Sequence, residues 1–393
     1  MTQKKIRISS VSSAVWLCCQ LGAREHYAVP RALQLSGLLG EFITDLWIRP
    51  GTLLHSWNKP LTGRFHPGLA GARIAAPNLA SLTFELKASL ARENGWKLIS
   101  RRNEWFQRHA LDQLKRTTNG NHTIFAYSYA ARHIFKFARE RGWRTVLGQM
   151  DPGPTEESKW QPMPKEYGDN WRHECSLADQ IVVNSQWSKD ALLREDVPAE
   201  KIQIIPVAYE PWTDTRSFQR LYPRAFSAER PLRVLFLGQI NLRKGVQQLL
   251  DAVNLLKGEP VEFWFVGPTQ IDVTQDLRLH TQCRWFGVAP RVEVDSYYRD
   301  ADVFIFPTLS DGFGLTQLEA QSWKLPVIAS RNCGEVVRDG FNGVLLDEVS
   351  GEAIANVLRK FLQAPDTLSA MSVRSGVDDR FSLKSLASAL KSL

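Results

Sequence analysis

Two series of short apolar strands and helix-length segments, separated by a stretch with no periodicity, constrain the fold of this chain more than any other feature. Before the break, Thr123-Ile-Phe-Ala-Tyr127 reads as a strand, Ala130 to Arg141 as a helix and Arg144 to Met150 as the next strand, which ends in the turn-rich Asp151-Pro-Gly-Pro154. Trp171 to Ala178 reads as helical, and Gln180-Ile-Val-Val-Asn184 and Ile202 to Pro206 supply two more strands. Upstream, Ile6 to Val11 reads as a strand, followed by a loop containing Gly22 and a helical stretch from Tyr27 to Leu39; between about 40 and 85 the pattern is too weak to assign elements. From Tyr209 to Arg233 periodicity lapses, and then a clean series restarts. Strands Arg233–Leu237, Val261–Val266, Arg284–Phe286, Val303–Phe306, Pro326–Ala329 and Gly343–Leu346 are interleaved with helices at Gly245–Leu256 and Leu315–Trp323. Such alternation marks βαβ units, and continuous apolar strands belong in parallel sheets covered on both faces. The restart predicts two doubly wound α/β domains with the functional site in the cleft between them. A chain of 393 residues, 44% apolar, is long enough for both cores.

The formal net charge of +8 favours anionic partners without choosing among them. Paired Cys/His fingers, basic-leucine heptads and aromatic RNP-like strands are missing from the sequence, so a specific nucleic-acid partner is not expected. Neither GxGxxG nor GxxxxGK[ST] occurs, which argues against a standard dinucleotide oxidoreductase and a P-loop ATPase. The five cysteines are dispersed apart from adjacent Cys18 and Cys19, and no cluster has metal-site spacing, so no metal is expected. The odd cysteine count and a start that reads as lacking a full signal peptide predict a cytoplasmic protein. No apolar run is long enough to span a membrane. Lys87, Arg92, Lys97, Arg101, Arg102, Arg108, Lys115 and Arg116 interleave with Trp96, Trp105 and Phe106, which fits either peripheral contact with an anionic inner-membrane face or a solvated helical face over core aromatics.

The chemistry-bearing segment is Phe306-Pro-Thr-Leu-Ser-Asp-Gly-Phe-Gly-Leu-Thr-Gln-Leu-Glu-Ala320. A buried strand delivers a loop whose Gly312 and Gly314 permit close backbone approach, and a helix starts immediately after them, so its free backbone N–H groups can cradle a diphosphate. Asp311 and Glu319 are candidates to accept hydrogen bonds from sugar and ribose hydroxyls. The bland alternative is a Gly-rich turn with Asp311 as a helix cap and Glu319 on a solvated face. Leu237-Gly-Gln-Ile-Asn-Leu-Arg-Lys-Gly245 occupies the same kind of position after the first strand of its series, and Lys244 or Arg243 could neutralise a departing diphosphate. Gly238 and Gln239 lie in that loop, while Gly267 and Gly287 each end a strand.

Residues 233–348 resemble the donor domain of the retaining, GT-B-fold glycosyltransferases of the family 4-like, "glycosyl transferases group 1" type. That family includes bacterial glycogen synthase-like, sucrose synthase-like and phosphatidylinositol mannosyltransferase-like enzymes. The resemblance rests on Asp311 and Glu319 at the family's E-x7-E spacing, on Tyr298-Arg-Asp-Ala-Asp-Val-Phe-Ile-Phe-Pro-Thr308, on Pro326-Val-Ile-Ala-Ser330 and on Asp339-Gly-Phe-Asn-Gly-Val-Leu-Leu346. It extends more thinly to Arg172-His-Glu174, Val183-Asn-Ser-Gln-Trp187 and Lys201-Ile-Gln-Ile-Ile-Pro206, and to the loop Gly22-Ala-Arg-Glu-His26. Three positions depart from the family: Gln239 stands where Arg is usual, Asp311 replaces Glu, and Tyr127 replaces a His at the end of its strand.

The resemblance implies two facing Rossmann-like domains: an acceptor-side domain over 1–212, a linker at 213–232, a donor domain over 233–372, and a C-terminal helix at 373–393 crossing back to the first. It implies a nucleotide-sugar co-substrate and no other cofactor, with Lys244, Asp311 and Glu319 as the catalytic set. Gly238, Gln239, Arg243, Gly267, Gly312, Phe313, Gly314 and Leu315 would bind the donor, and Gly22, Tyr127 and Glu174 would lie on the acceptor side. Interdomain closure would exclude water, and a hexosyl unit would pass to a glycan, lipid-linked or small-molecule acceptor. A GT-B-like relative that binds a nucleotide-sugar or a protein without catalysis is the competing expectation.

Overall fold

The computed structural model describes residues 15–52, 63–118, 120–211, 213–272 and 280–393. The chain forms two compact units: the described residues up to Gly148 with 164–181 and 387–393, and residues 149–163 with 182–386. The strand expected at Ile6–Val11 lies outside the described residues.

In the first unit, β1 (Val15–Gln20) pairs in parallel with both β2 (Leu39–Thr44) and β4 (His122–Tyr127); β2 also pairs with β3 (Ile74–Ala75), and β4 with β5 (Arg144–Gln149). Helices α1 (Ala28–Leu35), α2 (Asn78–Leu90), α3 (Gly95–Leu114) and α4 (Arg132–Glu140) follow these strands in chain order. The helix expected from Tyr27 to Leu39 is therefore shorter than expected, because Ser36 and left-handed Gly37 end it and Leu39 already belongs to β2. The weakly patterned stretch from 40 to 85 holds most of β2, all of β3 and much of α2. Tyr27, Phe42 and Trp47 meet edge to face, with ring centroids 5.4–6.1 Å apart, and close the core on one side of this sheet.

The chain continues through α5 (Pro154–Ser158), α6 (Lys165–Leu177), β6 (Gln180–Val183), α7 (Gln186–Leu193) and β7 (Ile202–Ile204). Among the described residues between β7 and β8 (Leu232–Leu237) there is no helix or strand. The second sheet is wholly parallel, in the order β10-β9-β8-β11-β12-β13, with β9 at Val261–Val266, β10 at Cys283–Gly287, β11 at Val303–Phe306, β12 at Val327–Ala329 and β13 at Gly343–Leu345. Side chains of a strand alternate between faces. Val234, Phe236, Phe263, Phe265 and Ile305 pack on one face with α8 (Val246–Leu255) and α11 (Gly351–Gln363), through Leu249, Val253, Leu358 and Phe361. Leu235, Trp264, Val266, Phe304 and Phe306 pack on the other face with Tyr298 of α9 (Arg291–Asp300) and Ala320 of α10 (Thr316–Ser322). Both faces are covered by apolar side chains, so β8, β9 and β11 read as near-continuous apolar runs, interrupted only by Arg233 and Glu262. The chain ends with α12 (Pro365–Arg374) and α13 (Leu383–Ser392).

Candidate functional site

In the second sheet β8 comes first in sequence. Its neighbours β9 and β10 extend to one side, and β11 begins the other. The chain therefore reverses its winding between β8 and β11, and open α/β sheets bind ligands beyond the carboxyl ends of strands at such a reversal. The loops leaving β8 and β11 are stitched together there. Leu309 N–H and Thr308 Oγ1 both donate to the Arg243 carbonyl, at 2.8 and 3.2 Å. Asn241 caps the turn before Lys244 through its side-chain oxygen. Asp311 N–H donates to the Asn332 carbonyl at 2.9 Å, tying in the loop after β12.

This stitching brings Lys244 and Asp311 together as an ion pair, with side chains only 14% and 17% exposed. The Lys244 ammonium also lies 5.3 Å from the centroid of the Phe306 ring. Burial pushes the Asp311 carboxyl up, but the Lys244 charge and hydrogen bond, helped by Arg243 and the Phe313 N–H, outweigh it and hold the group below its ordinary value. Asp311 is therefore not a helix cap. Arg243 points elsewhere, to Glu157 of α5, at 3.2 Å. Gly312 is pressed against the carbonyl of Met150, which a Cβ would meet at 1.7 Å, and its own carbonyl accepts from Ser185 Oγ at 2.7 Å.

Glu319 sits in the first turn of α10, whose first helical residue is Thr316 and not the expected Leu315. It is not on a solvated face: Tyr298, itself buried, donates to it at 2.8 Å. Burial raises its pKa, against the pull of Tyr298 and of Arg291, which lies 4.0 Å away. Phe313 is a core side chain, packed with Val207, Tyr209, Leu318 and Phe381. Gln239 is exposed. Gly238 N–H donates to Val266 and Gly267 N–H to Gly287, linking the turns after β8, β9 and β10. Tyr298 and Glu157 were not singled out as site residues from sequence. Tyr298 opens the motif segment that runs to Thr308, whereas Glu157 is one acid in a turn-rich stretch.

In the first unit the winding reverses between β1 and β4, and Gly22 and Tyr127 sit at the carboxyl ends of those two strands. Tyr127 OH donates to Glu25 at 3.2 Å, and the Arg24 guanidinium lies 5.8 Å from the Tyr127 ring centroid. Glu25, His26 and Tyr27 are consecutive left-handed residues, with φ of 49°, 50° and 61°, a conformation that costs energy in side chains of this size. Glu174 fastens the backbone of the first unit. Its buried carboxylate accepts from the N–H groups of Tyr129, Ala131 and Arg132, at 2.6, 2.8 and 3.0 Å, fastening the start of α4. Glu174→Ala strands three buried donors and is expected to cost roughly 2–4 kcal/mol of stability, read as a shifted denaturation midpoint of the first unit.

Of the basic run, Arg101 is paired with Glu93 and Arg102 with Glu85. Phe106 is buried in the core, so the solvated-face reading describes part of the run. The neighbouring α2 exposes Leu79, Leu86 and Leu90 by 76%, 60% and 76%, beside exposed Lys87 and Arg92. Among the described residues no group of three or more His, Cys, Asp or Glu side chains could hold a metal, and no helix is long and apolar enough to cross a membrane.

Residues 219–375 match the profile of the family described as "Glycosyl transferases group 1". D-inositol 3-phosphate glycosyltransferase of Corynebacterium kroppenstedtii is 30% identical over 219 residues, which cover 49% of this chain and 48% of that protein. The chain spans about half the length of the curated relatives it matches. Among solved structures, sucrose-phosphate synthase of Thermosynechococcus elongatus aligns with a TM-score of 0.67 at 17% identity, over 96% of this chain and 98% of that one. Anabaena HepE in complex with UDP aligns with a TM-score of 0.62 at 14% identity, over 96% and 100%. Residues 219–375 thus match the glycosyl transferases group 1 family, and the fold of the chain, two Rossmann-like domains, is GT-B.

Proposed function

We propose that the protein is a retaining glycosyltransferase that moves a hexosyl unit from a nucleotide-sugar to an acceptor hydroxyl. The observation that carries this reading is the convergence of Lys244 and Asp311 where the second sheet reverses its winding, with Arg243 next to Lys244. Two adjacent cations at only 14% and 22% side-chain exposure are suited to a diphosphate, because charge that builds on the leaving oxygens is stabilised more strongly there than in water. Asp311 then exchanges part of its contact with Lys244 for sugar hydroxyls. Glu319, oriented by Tyr298, holds the ribose. Similarity to HepE, whose structures contain UDP and UDP-glucose, favours a uridine donor as the first to try.

Asp311 is already committed to a cation, which does not suit a displacing nucleophile, so retention is assigned to attack from the face the nucleotide leaves. Gly22 and Tyr127 belong to the acceptor side of this reading. The exposed leucines of α2 beside Lys87 and Arg92 favour an acceptor presented at an anionic lipid surface.

The test is nucleotide release from UDP-, GDP- and ADP-sugars, with soluble glycans or with membrane-lipid extracts as acceptors, in wild type and Glu319→Ala. One donor is expected to be consumed, with acceptor stimulation, loss of at least ~10²-fold in Glu319→Ala, and a product whose anomeric configuration by NMR matches the donor. Binding of a sugar nucleotide without turnover in any arm would identify a silent relative instead.

A further inference from the structure

Glu157 lies outside every motif of the family resemblance, yet it holds one of the two cations assigned above to the donor diphosphate. It sits on α5, in the stretch 149–163 that packs as part of the second unit. Its side chain is 24% exposed, and its oxygen is 3.2 Å from Arg243 Nη1. The charged groups acting on it from neighbouring elements are Asp151 after β5, Arg243 and Lys244 after β8, and Asp311 after β11. Asp151 is held in its own turn by Gln149 Nε2 and Gly153 N–H. On α5 itself, Glu156 is engaged by Lys159 and Arg194, and Thr155 N–H donates to Glu195. The cluster thus sets three carboxylates against two cations before any anion arrives.

A diphosphate cannot take both cations and leave that arrangement as it is. Lys244 has a second reason to stay near Asp311, but Arg243 can turn to the phosphate only by leaving Glu157. The abandoned carboxylate would then face Asp151, Asp311 and the entering anion with no cation of its own, in a partly buried place. Resting on the reading of the donor site above, we infer that Glu157 is a positioning residue that holds Arg243 in the empty site and takes up a proton when a sugar nucleotide displaces it. Donor affinity therefore falls as pH rises through the titration of Glu157. Burial, then Asp151 and Asp311, push this carboxyl up to about 7 against the pull of Arg243 and Lys244, so the exchange falls in the physiological range.

The experiment is calorimetric titration of the full chain with UDP-glucose, GDP-mannose and ADP-glucose, whose diphosphate diesters carry no proton near neutrality. Each is run in MES and in bis-Tris at pH 6, and in HEPES and in Tris at pH 8, so that the buffer difference counts protons. For the donor that binds, wild type is expected to take up roughly half a proton or more at pH 8 and much less at pH 6, where Glu157 is already protonated. Glu157→Gln is expected to bind that donor about 3–10-fold more tightly than wild type at pH 8, with the uptake gone and the affinity nearly independent of pH. Binding without proton uptake in wild type overturns the inference, and that measurement needs no variant to fold. Unchanged uptake, or weaker binding, in a folded Glu157→Gln overturns it too. If none of the three probes binds, the donor-site reading fails first and takes this inference with it.

Discussion

Lys244→Ala is expected to lower donor turnover by about 10³-fold, the largest catalytic loss of any single substitution in the second unit. Two effects combine. The first is the missing cation at the developing charge of the leaving diphosphate. The second is the state of Asp311, which loses the charge and hydrogen bond that hold its pKa down and so becomes a poorly compensated carboxylate where an anion must enter. Removing one member of a mostly buried pair also destabilises, here by about 1–3 kcal/mol given the residual exposure of both side chains. The two consequences can be separated. Lys244→Met with Asp311→Asn removes the unpaired charge and is expected to recover most of the stability in urea denaturation, while nucleotide release stays at the level of Lys244→Ala. Recovery of turnover in the double variant would mean that Lys244 serves Asp311 and not the diphosphate.

The parts of the fold that could be read from sequence are those where physics repeats itself locally. The strands of the second sheet are covered by apolar side chains on both faces, so Leu232–Leu237, Val261–Val266 and Val303–Phe306 stand out from their composition alone. β2 did not, because its Glu41 is buried and satisfied by Gln113 at 2.9 Å and Arg73 at 3.0 Å, partners far along the chain that no local pattern announces. β1 was obscured in a similar way by Cys18, Cys19 and buried Gln20. In α2 the periodicity is inverted: Ser81 and Ala88 are buried while Leu79, Leu86 and Leu90 face out, so an amphipathic reading has nothing to lock on to. The site divides along the same line. Lys244, Asp311 and Glu319 lie in motifs and can be named as candidates from sequence, whereas Glu157 meets Arg243 only because α5 packs against the loop after β8. Glu174 carries a duty that no local pattern announces, since its carboxylate accepts from three backbone donors more than forty positions away.

Gly245→Ala is expected to produce the largest loss of stability, roughly 3–5 kcal/mol for the second unit, with donor binding lost alongside. Gly245 follows Lys244, has φ of +72° and starts α8, with Leu249 N–H donating to its carbonyl at 3.1 Å. A Cβ there would stand 1.9 Å from the carbonyl oxygen of Pro307, a backbone atom that cannot rotate aside. Left-handed strain alone costs an alanine about 1–2 kcal/mol. The remainder comes from parting the loops after β8 and β11, which also breaks the bonds of Leu309 and Thr308 to the Arg243 carbonyl. Gly340→Ala supplies the control, because its φ of +68° is similar but a Cβ there meets nothing within 4 Å, so only the strain of about 1–2 kcal/mol is expected. Comparing the two by urea denaturation isolates the close approach. If Gly245→Ala costs no more than Gly340→Ala, the contact with Pro307 does not set the spacing of the two loops, and the Lys244–Asp311 pair must be held by the side chains themselves.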